Sequence, residues 1–211
     1  AWMWKRHAGF DVVGYAGDSN NPRTVYHSLA KEPEMIWIKR RNTADNWLVG
    51  ANFGSSNYDI LKINLTDAVI NLSYNARFMS KPTSTAFTVD ADSSINGSGS
   101  NYLAILFASV DGISKVGSYT GNGSSAGPSI TTGFSPRFIL LRNITDSENW
   151  IVLDTLRDLS SSADEEVIYL NSSDEQYTQG CMNISSTGFS LADGNNRFNG
   201  NGDTIIYYAH A

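Results

Sequence analysis

Glu32-Pro-Glu-Met-Ile-Trp-Ile-Lys-Arg40 and Ser135-Pro-Arg-Phe-Ile-Leu-Leu-Arg-Asn143 are two versions of one segment. Each places a proline just before a run that reads as a β-strand. Side chains alternate across a strand, so Ile36, Ile38 and Arg40 share one face of Met35–Arg41, and Trp37, Lys39 and Arg41 share the other. The polar turn Asn42–Asn46 then predicts a hairpin into Trp47–Ala51. Downstream, Thr43-Ala-Asp-Asn-Trp-Leu-Val49 finds its match in Asp146-Ser-Glu-Asn-Trp-Ile-Val152.

The correspondence continues in both directions and keeps its order. Val12-Val-Gly-Tyr-Ala-Gly17 matches Val116-Gly-Ser-Tyr-Thr-Gly121, and Leu61-Lys-Ile-Asn64 matches Ile168-Tyr-Leu-Asn171. Ser84-Thr-Ala-Phe-Thr-Val89 matches Ser186-Thr-Gly-Phe-Ser-Leu191, and Asn96-Gly-Ser-Gly99 matches Asn199-Gly-Asn-Gly202. This is an internal duplication, with copies spanning 1–110 and 111–211. Short runs of Val, Ile, Thr, Tyr and Phe between Gly, Asn, Asp and Ser clusters predict an all-β fold. The expected architecture is two tandem antiparallel β-sandwich or jelly-roll modules. The short junction at Asp111-Gly112 leaves open separate beads or one pseudo-symmetric unit. Thr66–Leu72 and Ser160–Glu166 are each read as holding a helical turn.

The 211 residues are 41% hydrophobic and 11% aromatic, which excludes a disordered chain. A formal net charge of −6 argues against nucleic acid as a partner. No apolar run is long enough to span a bilayer, so membrane insertion is not expected. Cys181 is the sole cysteine, which excludes an internal disulfide, and it reads as a small buried hydrophobe.

Chemistry is sparse. His7, His27 and His210 stand in no metal-ligand spacing, and no nucleophile-elbow motif is present. Asp164-Glu165-Glu166 reads as a solvated loop. No enzyme and no cofactor are expected. Asp90, Asp92, Asp193 and Asn195 occupy matched places and offer oxygen atoms to calcium, but the spacing of a calcium loop does not continue. Asp and Asn also close turns with their own side chains, which is the preferred reading. Trp37, Lys39 and Arg41 are the candidate binding face: an aromatic surface flanked by cations, suited to acidic sugars. Trp47 and Trp150, at equivalent positions after a turn, read as packing residues.

Several segments carry a family resemblance. They are Trp4-Lys-Arg-His-Ala-Gly-Phe-Asp-Val-Val13, Pro33-Glu-Met-Ile-Trp-Ile-Lys-Arg-Arg41, Ala44-Asp-Asn-Trp47, Tyr102-Leu-Ala-Ile-Leu-Phe-Ala-Ser109 and Lys115-Val-Gly-Ser-Tyr-Thr-Gly-Asn-Gly123. Together they resemble a tandem β-rich module of virion proteins in marine tailed bacteriophages. The resemblance implies a place in a tail fibre or other tail appendage, assembled in the host's cytoplasm. It implies contact with a bacterial surface glycan or protein and with other virion subunits, and a homo-oligomer, usually a trimer in fibres. A purely structural spacer, adaptor or decoration protein is the second reading, and a polysaccharide depolymerase the third.

Overall fold

A computed structural model describes residues 5–51, 59–67, 78–159 and 165–211. The first eight strands are β1 (Phe10–Ala16), β2 (Arg23–Tyr26), β3 (Met35–Arg40), β4 (Trp47–Ala51), β5 (Asp59–Lys62), β6 (Phe78–Ser80), β7 (Ala86–Val89) and β8 (Asn101–Phe107). The next four are β9 (Ser114–Thr120), β10 (Ser129–Thr131), β11 (Phe138–Asn143) and β12 (Ile151–Asp154). The last five are β13 (Glu165–Tyr169), β14 (Tyr177–Gln179), β15 (Met182–Ser185), β16 (Gly188–Leu191) and β17 (Thr204–His210). A 3₁₀ turn at Thr155–Arg157 and a single helical turn, Asn196–Asn199, complete the list. The chain is all-β, and its named strand pairs are antiparallel.

Strand order shows the duplication directly. The first repeat builds one sheet in the order β1-β8-β3-β4-β5 and a second in the order β2-β7-β6. The second repeat builds β9-β17-β11-β12-β13 and β10-β16-β15, which is the same order strand for strand, with β14 added at the β13 edge. In both repeats the first strand pairs with the last and forms one edge of the larger sheet.

Each pair of sheets closes on its own core, as the two-sheet sandwich requires. In the first, Ile36, Ile38, Leu48, Ile60, Tyr102, Ala104 and Leu106 meet Val25, Phe87 and Val89 of the smaller sheet. In the second, Ile139, Leu141, Ile151, Leu153, Val167, Ile205 and Tyr207 meet Ile130, Met182, Phe189 and Leu191. Cys181 lies inside this second core, and burial pushes its thiol pKa well up, so it is not a poised nucleophile. The hairpin of Met35–Arg40 with Trp47–Ala51 pairs Trp37 with Val49 and Lys39 with Trp47.

Compact packing divides the chain into Ala1–Ile63 with Val69–Ser109, and Asn64–Ala68 with Val110–Ala211. The second unit therefore takes in a short piece that a linear division at 110/111 assigns to the first. Arg142 explains this. It is fully buried on β11, and donates Nη1 to Leu65 O at 3.2 Å and Nη2 to Asp67 O at 2.7 Å. Its Nε donates to Asn143 O at 3.0 Å, and the guanidinium lies 5.9 Å from the Trp150 ring. Burial lowers the Arg142 pKa to about 10, against the pull of Glu148 and Asp67, so the cation persists at neutral pH.

Two local expectations are corrected. Glu165 and Glu166 begin strand β13 rather than closing a helical turn or a solvated loop. Glu165 is 1% exposed because its side chain points into the sandwich, where Oε2 accepts from Cys181 N at 2.8 Å. Ser160–Asp164 lie outside the described residues, as does the segment beyond Asp67 on which the other helical turn was expected.

Candidate functional site

Two equivalent loops are each pinned by a buried asparagine. Asn96 and Asn199 are equivalent and fully buried. Asn96 Oδ1 accepts from Asp18 N at 3.1 Å, and its Nδ2 donates to Asn20 O at 2.9 Å. Asn199 repeats this on the second loop, accepting from Asn122 N at 2.8 Å and donating to Ser124 O at 2.8 Å. Gly17 and Gly121 are required here, because a Cβ would stand 2.1 Å from Gly97 O and 2.2 Å from Gly200 O. Gly17–Pro22 and Gly121–Pro128 are thus anchored frameworks.

The calcium candidates act in turns. Asp90 Oδ1 accepts from Asp92 N at 2.9 Å, and Asp92 Oδ1 accepts from Ser94 N at 2.8 Å. Asp193 Oδ1 accepts from Asn195 N at 3.1 Å, and Asn195 Oδ1 caps the helical turn by accepting from Arg197 N at 3.0 Å. Among the described residues no three His, Cys, Asp or Glu groups converge as a metal site would need.

Trp37 and Lys39 share the outward face of the larger first sheet. The Trp37 ring is half-buried against Phe107, with centroids 4.8 Å apart. Its Nε1 is buried without a hydrogen-bond partner among the described residues. Lys39 Nζ donates to Asp45 O at 2.7 Å, which holds the ammonium toward the 42–46 turn. Arg41 is exposed just past the strand end. Phe10, Val12, Leu103 and Ile105 are half-buried on the same face. The face is therefore more apolar, and its lysine more committed, than the alternation alone suggests.

The second unit assembles a different surface from β13, β14 and the helical turn. Tyr169 and Tyr177 lie with ring centroids 5.4 Å apart, and Tyr169 Oη donates to Tyr177 Oη at 3.1 Å. Arg197 stands 5.8 Å from each ring, and its Nε is 3.8 Å from Glu148 Oε2. Burial disfavours the guanidinium charge, but Tyr177, Tyr169 and Glu148 outweigh it and hold the Arg197 pKa above its usual value. All four side chains are half-buried. Beside them Asn171 Nδ2 donates to Asn149 Oδ1 at 2.8 Å, and Asn171 Oδ1 accepts from Trp150 N at 2.8 Å. Aromatic faces, a guanidinium, a carboxylate and side-chain amides thus stand together on a rigid frame.

Residues 4–211 match a family described as a domain of unknown function, DUF7483. The chain belongs to this family. No curated protein matches it. A solved structure, "Crystal Structure of the STIV MCP", aligns over 95% of both chains with 9% identity and a TM-score of 0.23.

Sequence reading missed Tyr169, Tyr177 and Arg197, although the duplication held a signal for two of them. Tyr169 stands where the first repeat has Lys62, inside a matched segment, and Arg197 where it has Ser94, two residues before the matched Asn96 and Asn199. In a duplicated DUF7483 chain, shared positions keep the scaffold. A departure between matched neighbours marks what one copy alone does.

Proposed function

We propose that this chain is a non-catalytic virion module of a phage tail appendage, and that it recognises a bacterial surface glycan. The observation that carries the recognition reading is the Tyr169–Tyr177–Arg197 cluster with Glu148 at its rim. Sugar rings present apolar C–H faces and equatorial hydroxyls. Half-exposed tyrosines supply the stacking surface, while Arg197 and Glu148 supply directional hydrogen bonds. A rigid frame lowers the ordering cost of a weak contact, and many copies on one particle turn it into firm attachment. The virion setting rests on the segment resemblance. Trp37, Lys39 and Arg41 remain the alternative contact face.

A structural role in the virion is the second reading. The half-buried apolar side chains Phe10, Val12, Leu103 and Ile105 favour it, since they suit packing against neighbouring subunits, although Met35, Val49 and Phe107 on the same face are already buried within the chain.

The test is binding of the labelled, artificially multimerised chain to bacterial cells and their extracted surface polysaccharides. Selective, saturable binding lost in Arg197→Ala supports the cluster. Loss in Trp37→Ala alone moves the site to the first unit. No binding to any preparation favours the structural module, and shortened polysaccharide reveals a depolymerase.

A further inference from the structure

The edge strand β1 carries a hydrogen-bonding pattern that is complementary to itself. Ala108 N donates to Gly9 O at 2.9 Å and Gly17 N donates to Ser100 O at 2.7 Å, flanking the β1–β8 ladder on both sides. Antiparallel ladders alternate, so Asp11, Val13 and Tyr15 turn their peptide groups to β8. Val12, Gly14 and Ala16 turn theirs away, off the edge of the sheet. Two of these outward groups are already taken. Val12 N donates to Asp11 Oδ1 at 2.9 Å, and Ala16 O accepts from Arg23 Nη1. The Val12 carbonyl, both groups of Gly14 and the Ala16 N–H have no partner among the described residues. Gly14 and Ala16 are exposed, and a Cβ at Gly14 would meet nothing closer than Tyr102 O at 3.9 Å. A shallow pocket of about 360 Å³ runs beside this edge, lined by Val12–Gly14 on one side and by Arg6 and Tyr26–Ser28 on the other. β1 holds neither lysine nor proline, and the caps by Asp11 and Arg23 leave its centre at Gly14 open.

We propose that β1 pairs with β1 of a second copy of this chain, antiparallel, about a two-fold axis at Gly14. In that register Gly14 N–H meets the partner's Gly14 carbonyl and the reverse. Ala16 N–H meets the partner's Val12 carbonyl, again twice. Every free outward group over Val12–Ala16 is used, and the two groups left out are the pair already occupied within the chain. The Asp11 carboxylate on Val12 N–H is fully buried and ion-paired to Arg6, and the Arg23 guanidinium on Ala16 C=O lies 3.4 Å from Asp18, so both occupants are satisfied within the chain. Burial works against the Asp11 charge, but Arg6, Ser28 and Val12 outweigh it and keep Asp11 an anion at neutral pH. An unrelated strand on this edge would leave its own groups opposite Val12 N–H and Ala16 C=O unpaired, whereas a second copy meets them with groups already occupied.

The equivalent edge, β9, is the internal control. It turns Val116, Ser118 and Thr120 outward in the same way, but Ser118 replaces Gly14 and Lys115 replaces Asp11.

The test is sedimentation of the whole chain from low to several hundred micromolar, beside Gly14→Lys and Gly14→Cys. Two-chain species that grow with concentration are expected. Gly14→Lys, which sets like charges face to face across the axis, gives a monomer with an unchanged circular dichroism spectrum. The Cα atoms of a hydrogen-bonded antiparallel pair lie about 5.5 Å apart, within disulfide reach, so Gly14→Cys links to itself under mild oxidant. Ser118→Cys does not, and buried Cys181 does not compete. A monomer throughout overturns the proposal, as does an oligomer of any size that Gly14→Lys leaves intact. A folded Gly14→Cys that links no better than Ser118→Cys overturns it too.

Discussion

The Tyr119 hydroxyl donates to the Phe198 carbonyl at 2.7 Å, tying the edge strand of the second unit to the helical turn that carries Arg197. Tyr15 makes the same bond to Ile95 O at 2.7 Å in the first unit. A tyrosine in the first strand thus anchors the last loop before the final strand in both repeats. Tyr119 is nearly buried and lies at 6.2 Å and 6.3 Å from Phe189 and Tyr207, so the ring packs while the hydroxyl reaches the loop. Tyr119→Phe keeps the packing and leaves the Phe198 carbonyl unpartnered. The expected loss is about 1–2 kcal/mol in chemical denaturation, with faster amide exchange in residues 193–200. No change in either would mean the bond does not hold the loop.

Asn199 is expected to matter more. It bridges Asn122, Ser124 and Asp193 from a fully buried position. Asn199→Ala strips several buried backbone groups of partners at once, at a cost of about 2–4 kcal/mol. Asn199→Asp keeps the acceptor but turns donors into an anion facing two carbonyls, and is expected to be at least as harmful. Urea midpoints of the two variants check this.

Arg142 decides where Asn64–Ala68 belongs. Arg142→Met fills similar space but leaves the Leu65 and Asp67 carbonyls without their donor. A loss of about 2–4 kcal/mol is expected, with release of the 64–68 segment to proteolysis and rapid hydrogen exchange. Unchanged protection of that segment would show that other contacts hold it.

Glu165 gives a pH dependence with a definite sign. Burial raises its pKa above the unfolded value, although bonds from Cys181, Glu165 and Met182 N–H groups oppose this. Its Oε1 is buried without a hydrogen-bond partner among the described residues. The folded state therefore prefers the protonated acid. Its contribution to stability is present below the unfolded pKa and is lost as pH rises through the folded one. Glu165→Gln stays neutral throughout. The melting temperature of the variant relative to the parent is expected to climb from acid to neutral pH, and a flat difference would contradict the assignment.

The sandwich class and the hairpin at Met35–Ala51 were legible because alternation and turn residues are local signals, and the duplication was legible because matched segments keep their order. What escaped is tertiary. Glu165 looks solvated beside Asp164 and Glu166, yet strand alternation aims it inward at Cys181 N. The exchange of Asn64–Ala68 depends on a buried arginine about 75 residues away in the sequence. Tyr169, Tyr177 and Arg197 are scattered along the chain and meet only once β13, β14 and the helical turn are in place. Trp37 and Lys39 share one face, as alternation predicts, but alternation does not reveal that Phe107 packs against the ring or that Asp45 holds the ammonium.

The most direct test of glycan recognition exchanges the repeats at their points of divergence. Tyr169→Lys and Arg197→Ser place the first repeat's residues into the second, at half-buried positions, Tyr169 packing against the margin of the second core. Titration of a bound surface polysaccharide against parent and double variant is the measurement, with melting temperature alongside. Recognition by this cluster predicts a loss of roughly tenfold or more in affinity while the double variant stays folded at the titration temperature. Affinity equal to the parent's in a folded double variant would contradict it.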